Sequence, residues 1–321
     1  MGVKSNMKKR NLKQEIIKKN VSLRNFTTFK IGGRAKYFLL AKNEEELIKG
    51  IDFAKKKKLP FFILGGGSNL LISDKGYNGL VIKIVNSKYK ILGNKIHTEA
   101  GVPLSLIVNN AIKQGLTGLE WAVGIPGTIG GAIRGNAGVS EASIADIVKK
   151  VIVLEKEKIK KYKNKDCKWG YRESIFKKKK NLIILFIEIQ LKKGNKKKIQ
   201  EKIKKYLNYR KANQPLNFFS AGSIFKNKRL KIKDKKLLKE FPELKEFNKK
   251  GIIPSGYLIE KLGLKGEKIG KVQISKKHAN FIINKGGGRA SDVLKLIKLI
   301  KDKVKKKFKI KLEEEIQFLG F

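Results

Sequence analysis

The sequence predicts an α+β protein built as two units. The chain has 321 residues, enough for two domains that each bury a core of their own. Between about residues 21 and 195, short apolar runs ended by glycine outnumber the amphipathic helical stretches, so this region is richer in strands than a doubly wound fold requires. A highly charged stretch, Lys196 to Lys211, then reads as one helix connecting it to a second unit.

Met1 to Asn20 are polar and basic and lack the apolar stretch of a secretory signal. Met7 to Val21 fits a short amphipathic helix through Leu12, Ile16 and Ile17, with a frayed tail as the alternative. Asn43 followed by three glutamates and by Leu47, Ile48, Ile51 and Ala54 predicts a capped helix. Phe61 to Leu64 predicts a buried strand opening into glycines, and Leu80 to Ile84 and Lys95 to Ala100 predict two more. Pro103 starts a helix through Leu104, Ile107, Val108, Ala111 and Ile112 that Gly115 ends. Val148 to Leu154 and Leu182 to Leu191 complete the strands of the first unit. In the second unit, strands are expected at Gly222 to Lys226, His278 to Ile283 and Glu314 to Leu319. Its last helix is expected to begin near Ser291 and to bury Val293, Ile297, Ile300 and Val304.

The net charge of +49 points at first sight to nucleic acid. Only eight of the 76 basic residues are arginine, however, and the lysines are scattered over every segment. A base reader or bidentate phosphate clamp favours arginine. The excess therefore reads as the imprint of an AT-rich genome on tolerant surface positions, and no nucleic-acid partner is expected. A positive field still suits an anionic substrate. Cys167 is the only cysteine and His97 and His278 the only histidines, so neither a disulfide framework nor a zinc site nor a histidine triad is expected. His97 reads as a strand-surface residue and His278 as a structural hydrogen-bonding group. The longest apolar run, Leu182 to Ile187, is too short to span a membrane, and a cytoplasmic monomer is expected.

Two loops carry the chemistry. Gly65-Gly66-Gly67-Ser68-Asn69 suits a pyrophosphate, because bare main chain lets N–H groups approach phosphate oxygens while Ser68 and Asn69 add side-chain donors. Alone it is a weak signal. The glycine-dense stretch Gly124 to Gly138 strengthens it, since so many positions with minimal side chains suggest backbone packed on a large ligand such as a flavin and its diphosphate. Neither matches G-x-G-x-x-G, and neither is expected to lead at once into a helix. Gly286-x-Gly288-x-x-Ser291 is read as a turn and helix cap.

Taken in order, Asn25 to Gly33, Gly65 to Asn69, Gly124 to Gly138, Gly170 to Ser174, Ala221 to Asn227, Gly263 to Gly266 and the end containing Glu315 resemble the UDP-N-acetylenolpyruvoylglucosamine reductase family, from about Asn25 to Phe321. The short span between Arg172 and Tyr206 matches its shorter branch, which lacks an extra tyrosine-bearing loop. Gly270 to Gln273 and Arg134-Gly135 depart from its commonest forms. The resemblance implies an FAD-binding domain of the vanillyl-alcohol oxidase type over 21–205, after an extension at 1–20, and a smaller α+β substrate-binding domain over 206–321. It implies NADPH as co-substrate and reduction of UDP-N-acetylglucosamine enolpyruvate to UDP-N-acetylmuramate, a peptidoglycan precursor. FAD would be held by Gly65, Gly66, Gly67, Ser68, Asn69, Gly124, Pro126, Gly127, Thr128, Gly131, Asn136 and Gly138. By motif position Ser223 would donate the proton, Arg172 and Glu315 would complete the catalytic set, and Tyr171, Lys226 and Asn227 would lie along the substrate. Glu313 and Glu314 compete with Glu315, which is preferred for its place directly before Ile316. Two other readings are weighed: a different FAD-dependent oxidoreductase on this fold, and a basic nucleic-acid-binding protein.

Overall fold

Four strands near the N-terminus form the first sheet of the computed structural model, which describes residues 16–321. They are β1 (Ile17–Ser22), β2 (Arg34–Ala41), β3 (Phe61–Leu64) and β5 (Tyr77–Ile84), in the order β1-β2-β5-β3. β5 lies parallel to both neighbours, and β1 runs antiparallel to β2. The helix α1 (Glu44–Lys56) crosses over between β2 and β3. Asn43 Oδ1 caps it by accepting from the Glu46 N–H, and the Glu46 carboxylate reaches back to the Lys42 N–H at 2.8 Å. Leu47, Ile51 and Ala54 pack on Leu39, Leu80 and Ile82 of the sheet.

The helix expected through Ile16 and Ile17 is overturned where it can be seen. Ile17 to Ser22 is a strand, because pairing with β2 satisfies its backbone, a long-range partner that local periodicity cannot register. Residues up to 15 of that expected helix lie outside the described residues.

The second sheet is antiparallel, in the order β10 (Lys158–Lys163), β9 (Val148–Glu155), β11 (Ile183–Gln190), β7 (Lys95–Glu99) and β6 (Tyr89–Leu92). α2 (Leu104–Lys113) and α3 (Ile129–Gly135) cover it, burying Leu104, Ile107, Val108, Ala111 and Ile133 on Ile96, Val151, Ile187 and Ile189. The second glycine stretch therefore does lead at once into a helix, contrary to expectation: Thr128 caps α3 by accepting from the Gly131 N–H. A helix of seven residues with three glycines has too little apolar periodicity to be recognised in sequence. The two-residue strands β8 (Leu116–Thr117) and β12 (Lys192–Lys193) pair beside α2. α4 (Ile175–Lys178) follows the turn at Arg172, and the connector is α5 (Lys196–Asn213).

The C-terminal unit packs α6 (Lys235–Glu240), α7 (Glu243–Lys250), α8 (Ser255–Lys261) and α9 (Ala290–Phe308) against β13 (Lys268–Ile269), β14 (Val272–Ile274) and β15 (Ile282–Asn284). α9 buries Val293, Ile297, Ile300 and Val304 as expected, and Leu296 and Phe308 besides. Each such side chain contributes roughly 1.5–3 kcal/mol. Gly222 to Lys226 is not a continuous strand. Ser223 bridges Phe281 and Phe225 bridges Glu314, so the segment pairs alternately with two neighbours. The strand expected from His278 is delayed to Ile282 because His278 to Phe281 forms a turn. β16 (Gln317–Leu319) returns to the first unit and pairs parallel with β4 (Leu70–Ile72).

The cap of α9 is not local. Gly286 and Gly287 make the expected turn at positive φ, but the Asp74 carboxylate accepts from the N–H groups of Ala290 and Ser291 at 2.7 and 2.9 Å. Burial opposes the charge of Asp74, yet the bonds from Ser291 and Ala290 outweigh it and hold the carboxyl below its ordinary value of 3.8. A depressed carboxyl stabilises the fold above its ordinary value and loses that contribution as the pH falls through the folded one. Asp74→Ala is therefore expected to cost about 1–2 kcal/mol at neutral pH. In denaturant melts the gap between wild type and variant should narrow as pH drops below 3.8.

Candidate active site

One residue near the C-terminus ties three distant segments together. The Glu315 N–H donates to the Ile224 carbonyl at 2.7 Å, its own carbonyl accepts from Asn69 Nδ2 at 3.1 Å, and its carboxylate accepts from Arg172 Nε at 2.7 Å. The first glycine loop, the segment of Ser223 and the turn of Arg172 therefore meet at one residue, the first two through its main chain and the third through its carboxylate. Parallel pairing of β16 with β4 brings Glu315 there, assisted by the Gln317 N–H bond to the Asn69 carbonyl at 3.0 Å.

Arg172 occupies the second central position of a two-residue turn closed by reciprocal Gly170 and Glu173 backbone bonds of 3.0 and 3.1 Å. Its φ is +56°, in the left-handed region. Ser223, next to Gly222 at φ +78°, is half-buried, and its hydroxyl has no protein hydrogen bond among the described residues. Ile224 and Phe225 are buried in the C-terminal core, which fixes the backbone on which Ser223 sits.

Tyr171 Oη accepts from the Asn227 N–H at 3.3 Å, and its ring lies beneath the guanidinium of Arg229 at 4.8 Å. The buried Lys226 ammonium pairs with Glu313 and lies 3.8 Å from Glu173. Its hydrogen bond to Glu313 draws that carboxyl below the usual range, against the opposing effect of burial. Glu314 is occupied elsewhere, with Lys301 at 2.8 Å. Of the three neighbouring glutamates, Glu315 alone meets Arg172 among the described residues.

The two loops touch. A Cβ at Gly66 would come within 2.5 Å of the Gly127 Cα, so only glycine allows this approach. Ser68 Oγ donates to the Pro126 carbonyl at 3.0 Å, and Gly65 lies against Thr128. The N–H groups of Gly66, Gly67, Ser68 and Asn69 meet no protein acceptor among the described residues, which leaves a row of donors for an anion. Gly124, at φ +72°, lies beside Arg210 of α5.

Gly131 and Gly135 add a second indication. Neither has positive φ, and a Cβ would meet nothing within 4 Å at Gly135 and only Thr128 Oγ1, at 3.5 Å, at Gly131. The protein itself has no steric need for them, although each costs a helix about 1 kcal/mol relative to alanine. Such a bare face would suit a bulky planar cofactor, and the row of donors would suit a diphosphate. Asn136 and Gly138 differ from the other proposed cofactor residues. Asn136 ends α3 in left-handed conformation and donates to the Gly170 carbonyl at 2.8 Å, while Gly138 is packed on Ala142 and Ser143. Their contacts here support the turn at Arg172 and the loop itself.

Motif reading missed Lys177, whose Nζ donates to the Arg172 carbonyl at 2.9 Å, and Arg134, which donates to Gln317 Oε1. Lys177 stands first in a run of four lysines, and nothing in the sequence separates it from its exposed neighbours. His278 has the structural role expected of it, its Nδ1 accepting from the Asn280 N–H at 3.1 Å, and His97 sits exposed on β7. Burial pushes the Cys167 thiol up to about 12, which removes it as a nucleophile. No group of three or more metal-ligating side chains occurs, and no helix is long and apolar enough to cross a membrane, among the described residues.

Residues 35–157 match the family described as FAD binding domain, and residues 214–319 match UDP-N-acetylenolpyruvoylglucosamine reductase, C-terminal domain. The chain is 41% identical over 315 residues to the UDP-N-acetylenolpyruvoylglucosamine reductase of Caldanaerobacter subterraneus subsp. tengcongensis, covering 96% of this chain and 95% of that protein. It is 39% identical to that of Carboxydothermus hydrogenoformans, over 98% of this chain and all of that protein. The crystal structure of UDP-N-acetylenolpyruvylglucosamine reductase from Thermus caldophilus superposes with a TM-score of 0.76 at 31% identity, covering 94% of this chain and 98% of that one. The α+β architecture, the FAD-binding domain and the separate C-terminal domain expected from the sequence are thus borne out, and the chain belongs to the UDP-N-acetylenolpyruvoylglucosamine reductase family.

Proposed function

We propose that this flavoenzyme oxidises NADPH and reduces the enolpyruvyl ether of UDP-N-acetylglucosamine enolpyruvate to UDP-N-acetylmuramate, with Arg172, Ser223 and Glu315 as its catalytic residues. The observation that carries this reading is the convergence at Glu315 of the Arg172 turn, the Ser223 segment and the first glycine loop.

Bound FAD, once reduced by NADPH, supplies the hydride to the methylene carbon of the enolpyruvyl group. Negative charge then develops on the substrate carboxylate. Arg172 meets that charge with its Nη donors, its Nε being committed to Glu315. Ser223 delivers the proton to the alpha carbon. A serine is a feeble acid, but the enolate beside it is strongly basic. Glu315 orients the guanidinium, and Tyr171, Lys226 and Asn227 hold the distal part of the substrate, the last two near its diphosphate. The FAD-binding domain spans 21–205 and the substrate-binding domain 206–321 in this reading, which takes the protein to be a cytoplasmic monomer of cell-wall precursor synthesis.

An anaerobic titration tests the function. NADPH should bleach the flavin absorbance, and the enolpyruvyl UDP-sugar should restore it stoichiometrically. A reduced flavin that the sugar cannot reoxidise would remove the substrate assignment.

The cofactor face has a test of its own. In Gly131→Leu, the apoprotein should melt no lower than wild type, because leucine is the better helix former by about 1 kcal/mol. Overpacking on the flavin should cost about 1–3 kcal/mol, read in a fluorescence titration as FAD affinity weakened roughly ten- to a hundredfold. Unchanged affinity would show that FAD lies elsewhere.

A further inference from the structure

Arg172 is held in a conformation that costs about 1 kcal/mol or more for a residue with a Cβ and persists only where the surroundings impose it. The reciprocal Gly170 and Glu173 bonds close the turn. Asn136 Nδ2 fixes the Gly170 carbonyl, and the fully buried Ser174 donates its Oγ to the Arg134 carbonyl at 2.7 Å. Among the described residues, Lys177 is the single side chain that reaches the main chain of Arg172.

Lys177 is mounted rigidly. The preceding Ile175 and Phe176 of α4 are buried, and the Phe176 ring meets Trp169 and Tyr162 edge-on at 6.4 and 5.5 Å. Its ammonium forms no ion pair among the described residues. Burial first, then the charges of Lys226 and Arg134, act against its proton, while Glu315 and Glu173 favour it. A cation kept in so crowded a neighbourhood differs from the solvated lysines that follow it in sequence.

We propose that Lys177 is a positioning residue for the reduction: its ammonium fixes the Arg172 carbonyl, and so the left-handed turn that aims the guanidinium at Glu315 and the substrate carboxylate. The proposal rests on the catalytic reading of Arg172 given above.

Its test uses the FAD-loaded full chain as Lys177→Met, Lys177→Arg, Arg172→Met and the double variant Lys177→Met/Arg172→Met. The rates of flavin reduction by NADPH and of reoxidation by substrate are followed separately, with the thermal midpoint. Displacing a reacting group by ~1 Å costs about 100-fold, so Lys177→Met should slow reoxidation by about that factor while reduction and the midpoint stay at wild type. Lys177→Arg should recover most of the loss. In the Arg172→Met background, Lys177→Met should cost no more than roughly twofold, because the group it positions is already absent. Independent, multiplying losses overturn the proposal, as does a Lys177→Met variant that reoxidises at wild-type speed. A matched fall in both half-reactions with a lowered midpoint also overturns it, assigning Lys177 to the fold alone. Arg172→Met with wild-type reoxidation instead overturns the reading beneath it.

Discussion

Ser223→Ala is expected to leave flavin reduction by NADPH at the wild-type rate and to slow reoxidation by the enolpyruvyl sugar about 10²- to 10⁴-fold, the range for loss of a positioned general acid. The structure makes this substitution unusually clean. The Ser223 hydroxyl has no protein hydrogen bond among the described residues, so its removal strands no buried partner. The backbone around it is set by the Ile224 N–H bond to the Asn280 carbonyl at 2.8 Å and by the Glu315 N–H bond to the Ile224 carbonyl, both of which alanine preserves. A loss confined to reoxidation therefore belongs to proton delivery. Equal slowing of both half-reactions, in rapid-mixing absorbance traces, would place Ser223 in cofactor binding instead.

Elements with local causes were legible in the sequence. α1 announces itself through Asn43 and Glu46, and α2 through Pro103 and Gly115, because caps and apolar spacing lie within one or two turns. Elements defined by distant partners were not. Nothing near Ile17 indicates its pairing with Leu39. β10, four of whose six residues are lysine, is not among the expected strands, yet it pairs with all of its residues along β9 as an edge strand, where lysine discourages further pairing. The cap of α9 comes from Asp74, more than two hundred residues away.

The site divides in the same way. Gly66, Ser68, Arg172, Ser223 and Glu315 stand in motifs whose resemblance to one family names them individually, while their juxtaposition is a property of the fold. In sequence, Glu315 is set apart from Glu313 and Glu314 by its position directly before Ile316. The structure supplies a geometric distinction, since the three carboxylates face Arg172, Lys226 and Lys301 respectively for Glu315, Glu313 and Glu314. Lys177 carries no mark in sequence because its contact is with a carbonyl, which any residue at position 172 would present.

Arg172→Lys conserves charge and should nevertheless reduce kcat/KM for the sugar about 10²- to 10³-fold, the scale for losing a donor aimed at developing charge. The guanidinium spends Nε on Glu315 at 2.7 Å and still offers planar Nη donors to the substrate. An ammonium is a compact point charge on a shorter reach. It can sit against the Glu315 carboxylate or against the substrate carboxylate, and the nearer, permanent anion is Glu315. Left-handed backbone costs lysine about what it costs arginine, so the turn itself is not the variable. The loss should fall on kcat as well as KM, because the missing interaction strengthens as charge develops. If the lysine variant instead shows a raised KM with kcat unchanged, Arg172 serves binding alone. Turnover near wild type in both constants would mean that a single positive charge suffices and that forked geometry plays no part.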